Sequence, residues 1–491
     1  MGVSTRSAWA PCPGESSAGV LRHDLESPIR FHVLLGILGS LTAWALPPAA
    51  WASLDDPTKP AGQIIVDPES PVWLKRNGQG SYFMVGAGDP EDFLYRGTKN
   101  PDGTRNGDQM AFIAQLAASG VNAIYFEIVR SHGDGGSDHD PWIVHEDPSS
   151  GLNDAILDQW DVWFDALEAA NITLYFFFYD DSCCVPFGGR TRTVGPDEIA
   201  FFQAIVDRFE HHPNLIWLVV EEYQEGNSIP VVEALADAIR VADDFDHVIG
   251  VHQLNSNDFR FPEDPSLDHF AMQSNSIGTP DEIHDFVVGG WNFALGRYNM
   301  AMAEAKFHYD RNAPDRTYTR QFSWAAAMGG AYVAVLGFEP GMPDEILADH
   351  GRMADFFETV ELTELEPRDE LARAETDYVL AADSGRRFVL YARNLTAGER
   401  VGLAEVEPGL YHLRWLDVVD GTSVEQQNVG LGGTPQLLPP AGIGGELALS
   451  VSPLPPVVPL MSFDGRLLSI GLVSLAVLLV GARTWARARV A

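Results

Sequence analysis

Cysteine and lysine are both scarce in this chain of 491 residues. The three cysteines, Cys12, Cys183 and Cys184, exclude a disulfide scaffold and show no zinc-ribbon spacing. Cys183 and Cys184 are adjacent, with Cα atoms about 3.8 Å apart, less than the usual disulfide span. They read either as two small buried thiols or as a strained ring of the kind some exported proteins hold. The four lysines are Lys59, Lys75, Lys99 and Lys306, so nearly all positive charge is arginine. Lysine and arginine together number 32 against 69 acids, a formal net charge of −37. Such a chain repels nucleic acid and anionic membrane surfaces. Its acids are scattered, which excludes a disordered acidic tail and fits a solubility adaptation. No glycine fingerprint for a dinucleotide follows any apolar run.

At 45% hydrophobic residues the chain is able to bury a full core. Its two ends read as addresses. Residues 31–46 are apolar and follow Arg30, and "PPAAWAS" supplies an A-x-A site at Ala50 and Ala52. This is the pattern of a secretory signal over residues 1–52, followed by a linker over 53–70. At the other end, residues 454–491 hold a proline-rich spacer, an uncharged stretch over 467–482, and Arg483, Arg487 and Arg489. The arginines are expected to keep that end in the cytoplasm. The segment resembles the tripartite sorting signals of exported bacterial proteins. The expected location is therefore periplasmic or at the cell surface, with the membrane or a sorting protease as a partner.

Between the ends, short apolar runs alternate with amphipathic stretches from Ser81 to Glu361. The strand runs are "YFMVGAG", "NAIYFEIV", "TLYFFFY", "LIWLVV", "HVIGVH", "DHFAMQS", "YNMAMAE" and "AYVAVLGF". Near-continuous apolar strands suit a parallel sheet buried on both faces. Eight such units predict an α/β fold, a (β/α)₈ barrel over residues 71–365. Over 371–453 the texture changes to alternating apolar and polar residues between glycine-rich turns. That predicts a small antiparallel β-sandwich as an accessory domain.

In such barrels chemistry gathers at the carboxyl ends of the strands. There stand Asp89, Glu91 and Asp92 after strand one, "RSHGDGGSDHDPW" from Arg130 to Trp142 after strand two, and Tyr179, Asp180 and Asp181 after strand three. Glu221 and Glu222 follow strand four, His252 and Gln253 strand five, Gln273 and Asn275 strand six, Glu304 strand seven and Glu339 strand eight. Acids on strands four and seven face each other across the mouth, placed to flank one bond of a sugar. Tyr179, Trp142, Tyr223 and Trp291 are candidate platforms for sugar rings. Arg130 is a candidate partner for Glu304, or an ion-pair partner of the acidic rim. Each acid also has a plain alternative: Glu221 and Glu222 at a helix start, Glu304 paired with Lys306 or Arg297. His132 and His139 with Asp134, Asp138 or Asp140 match no known zinc spacing, so no metal or other cofactor is expected, though an aspartate–glycine loop of this kind also suits calcium.

The stretch "WLVVEE", Trp217 to Glu222, after "HPN", resembles the fourth strand of clan A glycoside hydrolases. In that clan an asparagine–glutamate pair ends the strand and the glutamate is the acid/base. The resemblance gives that role to Glu222, puts Glu221 in the asparagine place, and puts Glu304 where the nucleophile lies. "WLKRNGQGSYFMVGAGD", Trp73 to Asp89, and "FSWAAAMGGAYVAVLG", Phe322 to Gly337, resemble the apiosidase-like branch. That branch has a β-domain behind its barrel and a substrate-binding aspartate matching Asp89. The implied activity is that of a retaining glycosidase on a polysaccharide or glycan, with Asp89, Arg130, Tyr179, Glu221, Tyr223, His252, Gln273 and Trp291 binding substrate. The readings from other classes are a surface carbohydrate-binding or matrix protein on an inactive barrel, and a metal-dependent hydrolase.

Overall fold

The computed structural model describes residues 54–88, 93–130, 139–180, 187–274, 278–305, 315–334 and 343–454. The expected signal segment, the C-terminal stretch 467–482, all three cysteines and Asp89 lie outside them, as do Asn275 and Glu339.

Eight parallel strands close into a barrel. In chain order they are Val85–Gly88, Ala123–Val129, Thr173–Tyr179, Leu215–Val220, Val248–Gln253, His269–Ser274, Asn299–Ala305 and Tyr332–Ala334. The third and fourth are buried along their whole length, because helices cover the outside and packed side chains fill the inside. Outward-facing Phe178 stacks on Phe202 of the helix Pro196–Phe209, with ring centroids 4.2 Å apart. Inward-facing Tyr125 stacks on Phe177 at 4.1 Å. Below them the Tyr175 hydroxyl meets His269 Nε2 at 2.6 Å.

Two of the barrel helices start at side chains that cap them. The Asn153 side chain accepts from Ala155 N at 3.1 Å ahead of Asp154–Ala169. Thr279 accepts from Glu282 N at 3.2 Å ahead of Pro280–Ala294. Each cap is worth about 1 kcal/mol. Strand five departs from the expected repeat. Residues 254–268, its link to strand six, form a loop without a helix. Phe259 and Phe261 bury themselves there, and Gln253 ties the loop down by donating to Asp258 O at 2.9 Å and accepting from Arg260 N at 3.1 Å.

Part of the expected linker is ordered structure. Ile64–Val66 pairs with Leu74–Arg76, which pairs with Gly80–Tyr82. This small sheet covers the amino-terminal end of the barrel: Ile64 N donates to Pro213 O at 2.9 Å, just before strand four begins.

Behind the barrel lie two antiparallel sheets, one of six strands and one of three. They enclose a second core that includes Leu390, Tyr411, Trp415 and Leu449. This is the expected β-domain. It is fastened to the helices Arg316–Met328 and Asp344–Phe357. Trp324 stacks on Tyr391 at 5.3 Å. Arg320 forks onto Glu446 at 2.9 and 2.6 Å and reaches Asp349 at 3.2 Å. All three side chains are buried. Arg320→Ala removes the guanidinium between two buried carboxylates and leaves Asp349 to Arg316 and Arg352 and Glu446 to the Tyr391 hydroxyl, so it is expected to cost about 3 kcal/mol in urea unfolding. A loss under about 1 kcal/mol would show that the fork does not secure the β-domain.

Candidate active site

Strand four ends in a sharp bend. Its apolar residues alternate until Val220, and Glu222 then takes a left-handed backbone, φ 36° and ψ 51°. Side chains with a Cβ avoid that region at a cost of about 1–3 kcal/mol, and such strain gathers at functional sites. The bend stops the strand and starts the four-residue helix Tyr223–Gly226. It also turns Glu221 inward, where the Tyr125 hydroxyl donates to its Oε1 at 2.8 Å.

From across the mouth, Glu304 on strand seven meets this pair. Gln273 on strand six lies between them, its Nε2 donating to both Glu222 Oε1 and Glu304 Oε2. Two acceptors on one amide nitrogen lie within about 5 Å of each other. Glu222 and Glu304 are also hydrogen-bonded directly. Burial first, then the charges of Glu221 and Glu222, push the Glu304 carboxyl up to about 9. Two carboxyls in such contact titrate as a pair and hold one proton between them.

His252 on strand five completes the wall. It is fully buried, and burial pushes its imidazole down to about 3, so it is neutral. The Glu222 N–H donates to its Nδ1 at 3.4 Å, which places the ring proton on Nε2. Glu221, His252 and Glu304 bring one ligand-type atom each within 4.8 Å of one another. All three already have partners within the cluster: Tyr125, the Glu222 N–H, and Gln273.

The remaining expected site residues fall elsewhere. Arg130 is buried, and its charge acts on Glu127 of strand two. Tyr223 is buried edge-on to Phe261 at 5.1 Å. Tyr179 does not face the mouth as a ring platform. It packs on Phe201 and Phe202 and donates to Glu198 at 3.2 Å. Trp142 packs on Phe201 at 5.2 Å, outside the barrel.

Trp291 does not reach the mouth at all. Its helix runs antiparallel to the strands, so its last turn lies at the barrel's underside. There Trp291 meets Trp73 at 5.4 Å. It also lies so near Gly330 that a Cβ on that glycine would stand 2.3 Å from the indole, and Gly330 has a φ of +95° that already favours glycine.

Glu127 escaped the sequence reading. It sits inside the apolar run "AIYFEIV", on the same face as Tyr125, and is fully buried. A carboxyl in mid-strand of a parallel barrel was the signal, since such positions are otherwise apolar.

The bound proton has a measurable consequence. Below about pH 9 the Glu222–Glu304 pair keeps it, and above that pH the pair is doubly ionised and lacks its acid. If the pair carries catalysis, kcat/KM is expected to fall about tenfold per pH unit above roughly pH 9, because kcat/KM reports the free enzyme. A profile that is flat through pH 10, or that already falls near pH 6, would contradict this.

Comparison with known proteins agrees with the geometry. Residues 104–336 match the family model described as apiosidase-like, catalytic domain. A glycoside hydrolase candidate from Bacteroides vulgatus is similar in structure, with a TM-score of 0.60 at 13% identity, covering 80% of this chain and 82% of that one. A second glycoside hydrolase gives 0.58 at 14%, covering 80% and 97%. A family 5 glycoside hydrolase from Bacteroides vulgatus gives 0.58 at 12%, covering 80% and 93%. At these identities the likeness is one of fold. No curated protein matches the chain in sequence. The resemblance read from the sequence is thus met by a family match and by the barrel itself: residues 104–336 match the apiosidase-like catalytic domain, and the enzyme class this supports is that of the glycosidases.

Proposed function

We propose that the protein is an exported, retaining glycoside hydrolase acting on a polysaccharide or glycan, with Glu222 as acid/base and Glu304 as nucleophile. The observation that carries this reading is Gln273, one amide nitrogen bonded to both carboxyls. Their closeness favours the retaining geometry of about 5–5.5 Å over the inverting one of about 6.5–9.5 Å.

A sugar entering between the two carboxyls separates them. The proton then belongs on Glu222, against the leaving oxygen, and the charge on Glu304, against the anomeric carbon. Glu304 forms a bond to that carbon as the bond to the leaving oxygen breaks, and Glu222 gives its proton to that oxygen. Glu222, now ionised, takes a proton from water, whose oxygen displaces Glu304 and restores both groups. Gln273 steadies both carboxyls through the cycle, and neutral His252 holds the bend at Glu222.

The test is a screen of aryl glycosides and plant and bacterial glycans, with apiosides among them. The native enzyme and Glu304→Gln are compared on each. A substrate cleaved equally by both would sink the assignment, and a glycan bound but never cleaved would favour a binding protein on an inactive barrel.

Export rests on the apolar run at 31–46 with its A-x-A site, and tethering on residues 467–482 followed by arginines. Among the described residues no helix is long and apolar enough to cross a membrane. Fractionation of cells expressing the full chain, and a truncation after residue 454, test this part. Recovery of both forms in the cytosol would refute it.

A further inference from the structure

We propose that Glu127 is a positioning residue of this site, held in its protonated form and donating its carboxyl hydrogen to Glu221, which Tyr125 grips from the same strand. This rests on the glycosidase reading for its purpose, though not for its geometry.

Tyr125 and Glu127 stand two residues apart on strand two, so both side chains enter the barrel on one face. The Tyr125 hydroxyl donates to Glu221 Oε1 at 2.8 Å. Glu127 is hydrogen-bonded to the Glu221 carboxyl. A hydrogen bond between two carboxyls requires a proton on one of them. Glu221 already accepts from a hydroxyl, as an ionised carboxylate does. Among the described residues neither oxygen of Glu127 receives an N–H or O–H donor, and both are buried. A carboxylate in that position would hold a fully buried charge, so the proton belongs on Glu127.

Its burial and the nearby acids act in the same direction. Burial first, then the charges of Glu221 and of Asp180 at the end of strand three, push the Glu127 carboxyl well above the usual range, and Arg130 opposes them in part. Tyr95 lies within electrostatic reach of the same carboxyl. Glu304 and Glu222 lie beyond Glu221, and His252 is neutral.

The consequence lies one residue away. With two donors, Glu221 stays ionised and fixed, and its charge helps keep the proton on the Glu222–Glu304 pair. Without Glu127, Glu221 takes up a proton more readily, and the pair loses that support.

Two variants separate this from simple packing. Glu127→Gln keeps a donor that cannot ionise, whereas Glu127→Met keeps the volume and loses the donor. Glu127→Gln is expected to hold kcat within about threefold and to leave the alkaline limb of kcat/KM in place. Glu127→Met is expected to lose about tenfold or more in kcat, with little change in KM, and to move that limb to lower pH. Equal impairment of both variants, or a native profile in Glu127→Met, would overturn the proposal.

A second readout needs no substrate. The infrared carbonyl band of a protonated carboxylic acid at neutral pH should lose one component in Glu127→Gln. An unchanged band would overturn the proposal even if no glycoside were found. A lost component without glycosidase activity would support the proton on Glu127 and count against the enzyme reading alone.

Discussion

Glu304→Gln is expected to remove hydrolysis of every glycoside the native enzyme cleaves, with kcat down by about 10⁴-fold or more, as befits loss of the attacking group. The substitution changes one oxygen to nitrogen, keeps the volume, and keeps a neighbour for Gln273. Folding should survive, because the burial penalty that holds the Glu304 proton disappears with the carboxyl. The same reasoning fixes a sign for stability. A carboxyl raised in the folded state lends stability that is present at low pH and lost as pH rises through its folded value, here about 9. The thermal midpoint of Glu304→Gln should therefore fall less between pH 7 and pH 10 than that of the native protein. Activity within about tenfold of native would place the nucleophile elsewhere.

Glu222→Gln is expected to lose about 10²–10⁴ in kcat, and unevenly among substrates. An aryl glycoside whose leaving group departs without a proton should react well at its first step and stall at the second, where no base activates water. Added azide, a nucleophile that needs no base, should restore turnover on that substrate and yield a glycosyl azide. A uniform loss on good and poor leaving groups, with no response to azide, would mean that Glu222 serves only to shape the bend after strand four.

The parts of the site that were legible from the sequence are those where a rule of the fold picks out a position. Glu221, Glu222, His252, Gln273 and Glu304 each stand at the carboxyl end of an apolar run, and closing eight strands brings such ends together. The parts that were not legible depend on where a side chain points. Tyr179 sits at a strand end where alternation fails, so its ring turns to the helix Pro196–Phe209. Trp291 belongs to a helix whose direction carries it to the underside, where it packs on Trp73. Glu127 lies below a strand end, so a search limited to those ends passes over it. The sheet over 64–82 was hidden because its strands are three residues long, too short for a period to show.

The central claim is that two hydrogen-bonded carboxyls, Glu222 and Glu304, carry out a double displacement at one anomeric carbon. The most direct measurement is the anomeric configuration of the first-formed sugar, followed by proton NMR during cleavage of any substrate the screen provides. Retention of the substrate's configuration, followed by slow mutarotation, is the predicted result. An inverted first product would contradict it, since inversion needs a water between carboxyls held farther apart.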